Sequence, residues 1–138
     1  MEGKMRIRMS RCLALVVAAS LPRAALACDD EGPWAELDLA RGVKDRQPVD
    51  TAEPFVAGET AYAWTNVHDL PGGMVEHVWY RNGREIARHR MDIGGTRWRT
   101  WSRHRLSAGR YSVEIIADDQ ILARREIDVA ATPPTAAR

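Results

Sequence analysis

Two short strings hold the side chains best able to do chemistry: His77-Val78-Trp79-Tyr80 and Arg97-Trp98-Arg99-Thr100-Trp101-Ser102. They carry three of the chain's five tryptophans, and His104 follows two residues after Ser102. Residues two apart on a strand share a face, so Ser102 and His104 could be read as a nucleophile and its base. The sequence holds no G-x-S-x-G elbow, however, and neighbours along one flat strand rarely converge on a hydrogen bond. Carboxylates are plentiful, but nothing places two of them in the opposed environments that glycoside cleavage requires. The four histidines, His68, His77, His89 and His104, include no pair at helical metal-binding spacing. A histidine sharing a strand face with a tryptophan, as His77 does with Trp79, suits a hydrogen bond to a backbone carbonyl better than a metal. The sequence therefore predicts no catalytic residue, no metal site and no cofactor.

Arginine interleaved with tryptophan suits a different task. Guanidinium groups match carboxylate or phosphate in a planar, bidentate way, and indole faces stack on bases or sugar rings. On a strand, Arg97, Arg99, Trp101, Arg103 and Arg105 share one side, and Trp98, Thr100, Ser102 and His104 share the other. Four charged arginines do not enter a core together, so the first side should face outward with Trp101 exposed or covered by arginine stems. Trp98 should then face inward. The candidate binding residues are His77, Trp79, Arg97, Arg99, Trp101, Ser102, Arg103 and Arg105. Charge sharpens the picture. The whole chain carries a net +1, yet residues 81–110 hold nine arginines against two acidic residues. Acidic residues dominate on both sides of that island. The plain alternative is internal neutralisation, a basic hairpin lying across acidic neighbours.

Short alternating segments must position these groups. Period-two patterning with turns at strand spacing runs through Glu36–Ala40, Thr60–Val67, Met74–Arg81, Arg84–Ile93, Thr96–Leu106, Tyr111–Ala117 and Ile121–Val129. Gln47-Pro48 should end the first element, because proline cannot donate to a ladder. Asn82-Gly83 is the strongest local signal: both residues accept the positive φ of a type I′ turn. Uninterrupted pairing from that turn sets Arg81 opposite Arg84, Tyr80 opposite Glu85, Trp79 opposite Ile86 and His77 opposite Arg88. Ile121, Ala123, Ile127 and Val129 share one side of the last strand. About seven strands and no amphipathic helix predict an all-β, immunoglobulin-like antiparallel β-sandwich over residues 34–129. A small barrel is the alternative.

The ends concern address rather than fold. Lys4, Arg6, Arg8 and Arg11 precede an uncharged apolar run from Cys12 to Leu21, and Ala25-Leu26-Ala27 is an A-x-A cleavage signature. Residues 1–27 thus read as a signal peptide, with export to a periplasmic or extracellular space. The run is shorter than the roughly 17–25 residues of a membrane-spanning helix. Cleavage would leave Cys28 first and unpaired, since Cys12 departs with the signal; no intramolecular disulfide or cysteine redox pair could form. Cys28 could also be a lipidation site, although Leu26 stands one place too late for the usual lipoprotein pattern. Residues 28–33 read as a polar lead-in and 130–138, with Pro133-Pro134, as a disordered tail.

The string from His77 to Ser102 resembles an uncharacterised bacterial exported family, domain of unknown function 2914. The shared features are the His-x-Trp-Tyr strand, a turn, the Arg-Thr-Trp-Ser strand at 99–102 and a glycine-turned strand like Gly109–Ala117. The resemblance reaches from Val43 to Val129. It implies the fold and the export, and it draws attention to His77, Trp79, Arg99, Trp101 and Ser102. It supplies no activity. Asp118-Asp119-Gln120 stands where the family carries a glycine in the last hairpin, which leaves that turn's type open. The resulting expectation is a non-enzymatic exported domain recognising an anionic envelope glycan or lipid, or an envelope protein. It would touch membrane only through a lipidated Cys28, and export argues against nucleic acid. A structural envelope lipoprotein and, behind it, a hydrolase are the alternatives.

Overall fold

A computed structural model describes residues 32–131. The segment read as a signal peptide, Cys28 and most of the expected lead-in and tail lie outside those residues. Ten strands follow in order: β1 (Trp34–Ala40), β2 (Gly42–Lys44), β3 (Gln47–Val49), β4 (Phe55–Val56), β5 (Thr60–His68), β6 (Met74–Arg81), β7 (Arg84–Asp92), β8 (Arg97–Arg105), β9 (Gly109–Ala117) and β10 (Gln120–Ala130). The seven long ones are the seven read from alternation. They form two sheets, β1-β5-β8 and β4-β10-β9-β6-β7, and β2 pairs with β3 as a separate hairpin. The described chain is an all-β sandwich.

The core is where the period-two sides of the two sheets meet. Ala61, Ala63 and Val67 of β5 face Trp79 of β6 and Val113 and Ile115 of β9, all fully buried. Small alanines opposite a large indole let the layers interdigitate at interior density. Tyr111, at the start of β9, is buried too, and its hydroxyl accepts the Ser107 N–H at 3.0 Å. Immunoglobulin-like sandwiches use such a tyrosine tether.

Two expectations need correction in detail. Asn82 (φ 50°) and Gly83 (φ 80°) form the type I′ turn, and Arg81–Arg84 and Tyr80–Glu85 pair as read. Beyond them a β-bulge at Ile86 shifts the register by one, so Trp79 pairs with Ala87, Val78 with Arg88 and His77 with His89. The bulge puts the exposed His89, rather than Arg88, opposite His77. The bulge turns Arg88 and Arg90 outward, where both reach Glu76. In β10 a second bulge, between Ile121 and Ala123, buries Leu122 and leaves Ile121 half-buried.

Pro48 also behaves differently from its sequence reading. It does not end a strand but sits in β3 opposite Val43. β3 has one neighbour, so the missing N–H can fall on the unpaired side. The connecting turn is Asp45-Arg46, with positive φ at both residues and no glycine to announce it. Asp118-Asp119 is built the same way, which settles the type of the last turn. Ala130 belongs to β10 rather than to the tail.

Gly83 would meet no atom through an added Cβ, so any cost there is purely conformational. Replacing Gly83 with Val should destabilise the domain by about 1 kcal/mol or more, read as a lower urea midpoint at unchanged m-value.

Candidate functional site

The candidate residues separate into an interior group and an exterior group. Alternation on β6 and β8 drives the division: His77 and Trp79 point between the sheets, and so does Ser102, while the odd-numbered residues of β8 point out.

The interior group is a chain of hydrogen bonds linking the two sheets. The Trp79 indole N–H donates to Ser102 Oγ at 3.0 Å. Ser102 Oγ lies 2.8 Å from His77 Nδ1, and His77 Nε2 lies 3.2 Å from Thr65 Oγ1. Thr65 Oγ1 in turn donates to the Thr100 carbonyl at 3.2 Å. The donor inventory allows one consistent assignment. Thr65 spends its proton on Thr100, so it accepts from His77 Nε2–H. His77 Nδ1 is then an acceptor, and Ser102 donates to it. Burial, with the charge of His89 as a lesser cause, pushes the His77 pKa down to about 3. A neutral ring is what this assignment needs.

Ser102 and His77 stand at the distance of a nucleophile and its base. The arrangement uses the serine differently. Its oxygen already accepts from Trp79, and its residue is 7% exposed. The histidine is backed by a threonine rather than by a carboxylate. His104, the partner that alternation suggested for Ser102, packs its ring against Trp79 and Tyr111 instead. Thr65 is the member sequence reading missed; its position among the buried alanines of β5 was the available signal. His77, Trp79 and Ser102 therefore lie in the interior, beneath the outward side of β8.

The exterior group is that surface. Arg97, Trp101, Arg103 and Arg105 are exposed, Trp101 at 39%, and Arg99 is half-buried. Trp98 is half-buried against the core, as expected of its side. The arginines of the two neighbouring strands differ. On β7, Arg88 pairs with Glu76 and Glu85, and Arg90 pairs with Glu76. On β8, none of Arg97, Arg99, Arg103 and Arg105 forms an ion pair among the described residues. Internal neutralisation thus accounts for Arg88 and Arg90 of β7, but not for Arg84 at the start of that strand or for the four arginines of β8. Arg99 Nε, Asn66 Oδ1 and His68 Nε2 are buried with no hydrogen-bond partner. They lie at one seam, where Asn66 pairs with Arg99 and His68 with Arg97.

A groove of about 690 Å³ opens between β7 and β8, lined by His89, Arg90 and Met91 on one side and Trp101, Ser102 and Arg103 on the other. Tyr62 and Val43 extend the Trp101 wall. The β2–β3 hairpin closes the far side of the sheet: the Arg46 carbonyl accepts the Trp64 indole N–H at 2.9 Å. Trp64, directly paired with Trp101 across β5 and β8, is buried for this reason. Among the described residues no group of three or more His, Cys, Asp or Glu side chains is placed to hold a metal ion.

Residues 74–129 match the model of a family described as a protein of unknown function, DUF2914. This is the family that the His-x-Trp-Tyr and Arg-Thr-Trp-Ser strings resemble. The match takes in β6 to Val129 of β10, a shorter span than the resemblance from Val43; Thr65 and the β2–β3 hairpin precede it. No curated protein matches the chain.

Two adjacent residues should respond oppositely to truncation. Ser102→Ala leaves the Trp79 N–H and His77 Nδ1 without partners and should cost about 2–6 kcal/mol, at roughly 1–3 kcal/mol for each orphaned group. Trp101→Ala should cost less than about 1 kcal/mol. Urea titration of both variants checks this. A second test uses pH. The folded pKa of His77 lies below its ordinary unfolded value near 6.5, so the unfolded chain takes up the proton first. The contribution is complete above about pH 6.5 and is lost as pH falls towards 3, by at most about 1.4 kcal/mol per pH unit. His104, whose pKa burial also lowers, acts in the same direction. The melting temperature should fall on acidification from pH 6.5 to 5, and His77→Gln should flatten that slope.

Proposed function

We propose that this is an exported, non-enzymatic recognition domain that binds an anionic component of the cell envelope through the outward side of β8. The observation that carries the reading is the unneutralised row Arg97, Arg99, Arg103 and Arg105 around an exposed Trp101. Arg88 and Arg90 on β7 have carboxylate partners close at hand; the arginines on β8 face solvent or the groove. Guanidinium groups would hold carboxylate or phosphate oxygens, and the indole would offer an apolar face to a sugar ring or an aliphatic chain. The buried, unpartnered Arg99 Nε is a donor with an unmet demand, which an anion or an ordered water would satisfy. The Ser102–His77 relay contributes by fixing the inner side of the strand whose outer side binds. Export rests on the basic head, apolar run and A-x-A signature of the first 27 residues.

Titrating the protein with polygalacturonate and with phosphatidylglycerol vesicles, read by isothermal titration calorimetry, tests the proposal. Binding to at least one probe should weaken steeply as salt rises, because exposed charges are screened over about 8–10 Å near physiological ionic strength. Arg99→Ala and Trp101→Ala should weaken it further while melting close to wild type. Salt-independent binding, or variants that bind undiminished, would overturn the assignment to β8.

A further inference from the structure

The backbone of β8 specifies more than its charge does. Among the described residues β8 hydrogen-bonds only to β5, and β7 only to β6, so the groove lies between two strand edges that no described strand covers. The pairing of β5 with β8 runs from Thr60–Arg105 to His68–Arg97 without interruption. Two bonds just beyond its ends fix which residues turn which way. The Leu106 N–H donates to the Glu59 carbonyl at 2.8 Å, and the Asp69 N–H to the Thr96 carbonyl at 2.8 Å. Residues 96 and 106 therefore direct their peptide groups to β5, and in an antiparallel ladder every second residue between them does the same. The odd-numbered residues, Arg97, Arg99, Trp101, Arg103 and Arg105, direct theirs to the open edge. One bond agrees: the Arg99 carbonyl is reached from outside the sheet by Arg46 Nη2 at 3.5 Å.

Arg46 also lies over the Trp98 ring at 5.5 Å, so its guanidinium rests on the edge at 98–99 and must move aside for a pairing strand. Elsewhere along β8 the residues whose peptide groups are open to pairing are the residues whose side chains form the cationic row. A strand laid against this edge would pair its backbone with these five positions. The side chains of its paired residues would stand directly opposite the arginines, at the separation of cross-strand neighbours. We propose that the groove takes an extended peptide segment with acidic residues at alternate positions, added to β8 as a further strand. This deepens the recognition reading and rests on it. The alternate, inward-turned residues of such a strand would meet Met91 and Ser102 and should be small or apolar. Met91 already reaches across the gap to Thr100 Oγ1 at 2.9 Å, and its unbranched side chain can yield to a newcomer. An acidic glycan satisfies the arginines but leaves the peptide groups of the edge unpaired; a peptide satisfies both.

The test uses the purified chain and a nine-residue peptide of alternating Glu and Val, matched to the nine residues of β8. Two N-methylated forms of the peptide isolate the backbone. Glu residues opposite the arginines point their N–H groups at β8, whereas Val residues point theirs away. N-methylation of the Glu amides should weaken binding at least about tenfold, since several hydrogen bonds worth about 1 kcal/mol each are lost. N-methylation of the Val amides should change it less than about threefold. A peptide of the same composition with all Glu in one block should also bind at least about tenfold more weakly. Equal loss from both methylations, or equal binding of the block peptide, would overturn strand addition. Polygalacturonate or vesicles bound without the peptide would overturn it too, while leaving anion recognition standing. Failure of all three probes would remove both. Concentration-dependent mass growth of the protein alone would assign the edge to a second copy instead.

Discussion

The interior of this sandwich turns on one imidazole that must stay neutral. His77 sits on the sheet of β6 and β7, and its partners Thr65 and Ser102 sit on the sheet of β5 and β8. Each nitrogen has one bond, each hydroxyl gives its proton in one direction, and the indole N–H of Trp79 starts the chain. Buried polar groups are costly when unpaired and specific when paired, so this relay selects one lateral offset between the sheets from the many that apolar contacts alone would tolerate. The offset matters at the surface. Ser102 and Trp101 are consecutive, and locking the first inward holds the second outward.

The charge pattern follows from the same geometry read on the other side. Seven of the nine arginines between residues 81 and 110 fall on β7 and β8. Beyond the bulge at Ile86, Arg88 and Arg90 reach Glu76, whose carboxyl is held below its ordinary range chiefly by Arg90 and then by Arg88. β8 has no bulge, and its arginines stay in an unbroken row. Elsewhere arginine serves architecture. Arg41 stacks over Phe55 and bonds to Glu59, Asp50 and the carbonyls of Ala52 and Pro54, so a single guanidinium organises the loop from 50 to 59.

Much of this was legible before any coordinates. The long strands, the sandwich, the Asn82-Gly83 turn and the inward and outward sides of β8 all follow from a period of two, which is local information. The misses are local irregularities. A bulge adds a residue without leaving a mark in the alternation, so Ile86 and Leu122 shifted what followed them. The Asp45-Arg46 turn adopts positive φ with residues that merely tolerate it, as the Asp118-Asp119 turn does where only its type was open, and Pro48 hid a paired strand behind a breaker's reputation. His77, Trp79 and Ser102 stand in the sequence beside the arginines as one set of candidates, and His77 bonds to two side-chain hydroxyls rather than to a backbone carbonyl. Their separation from the arginines depended on two strands meeting across the core, and no single segment carries that.

The unbroken row on β8 has a consequence for symmetry. Open strand edges invite a twofold pairing with an identical edge, and the odd-numbered positions whose peptide groups are free would make Trp101 the natural centre. That arrangement sets Arg99 against Arg103 of the second copy and Arg97 against Arg105, each twice, with no carboxylate between them. Like charges directly opposite one another on one side of a sheet repel. Strand edges are usually protected by being short, kinked or covered. This one is long and straight, and it excludes its own image by sign alone while remaining open to a strand of opposite charge.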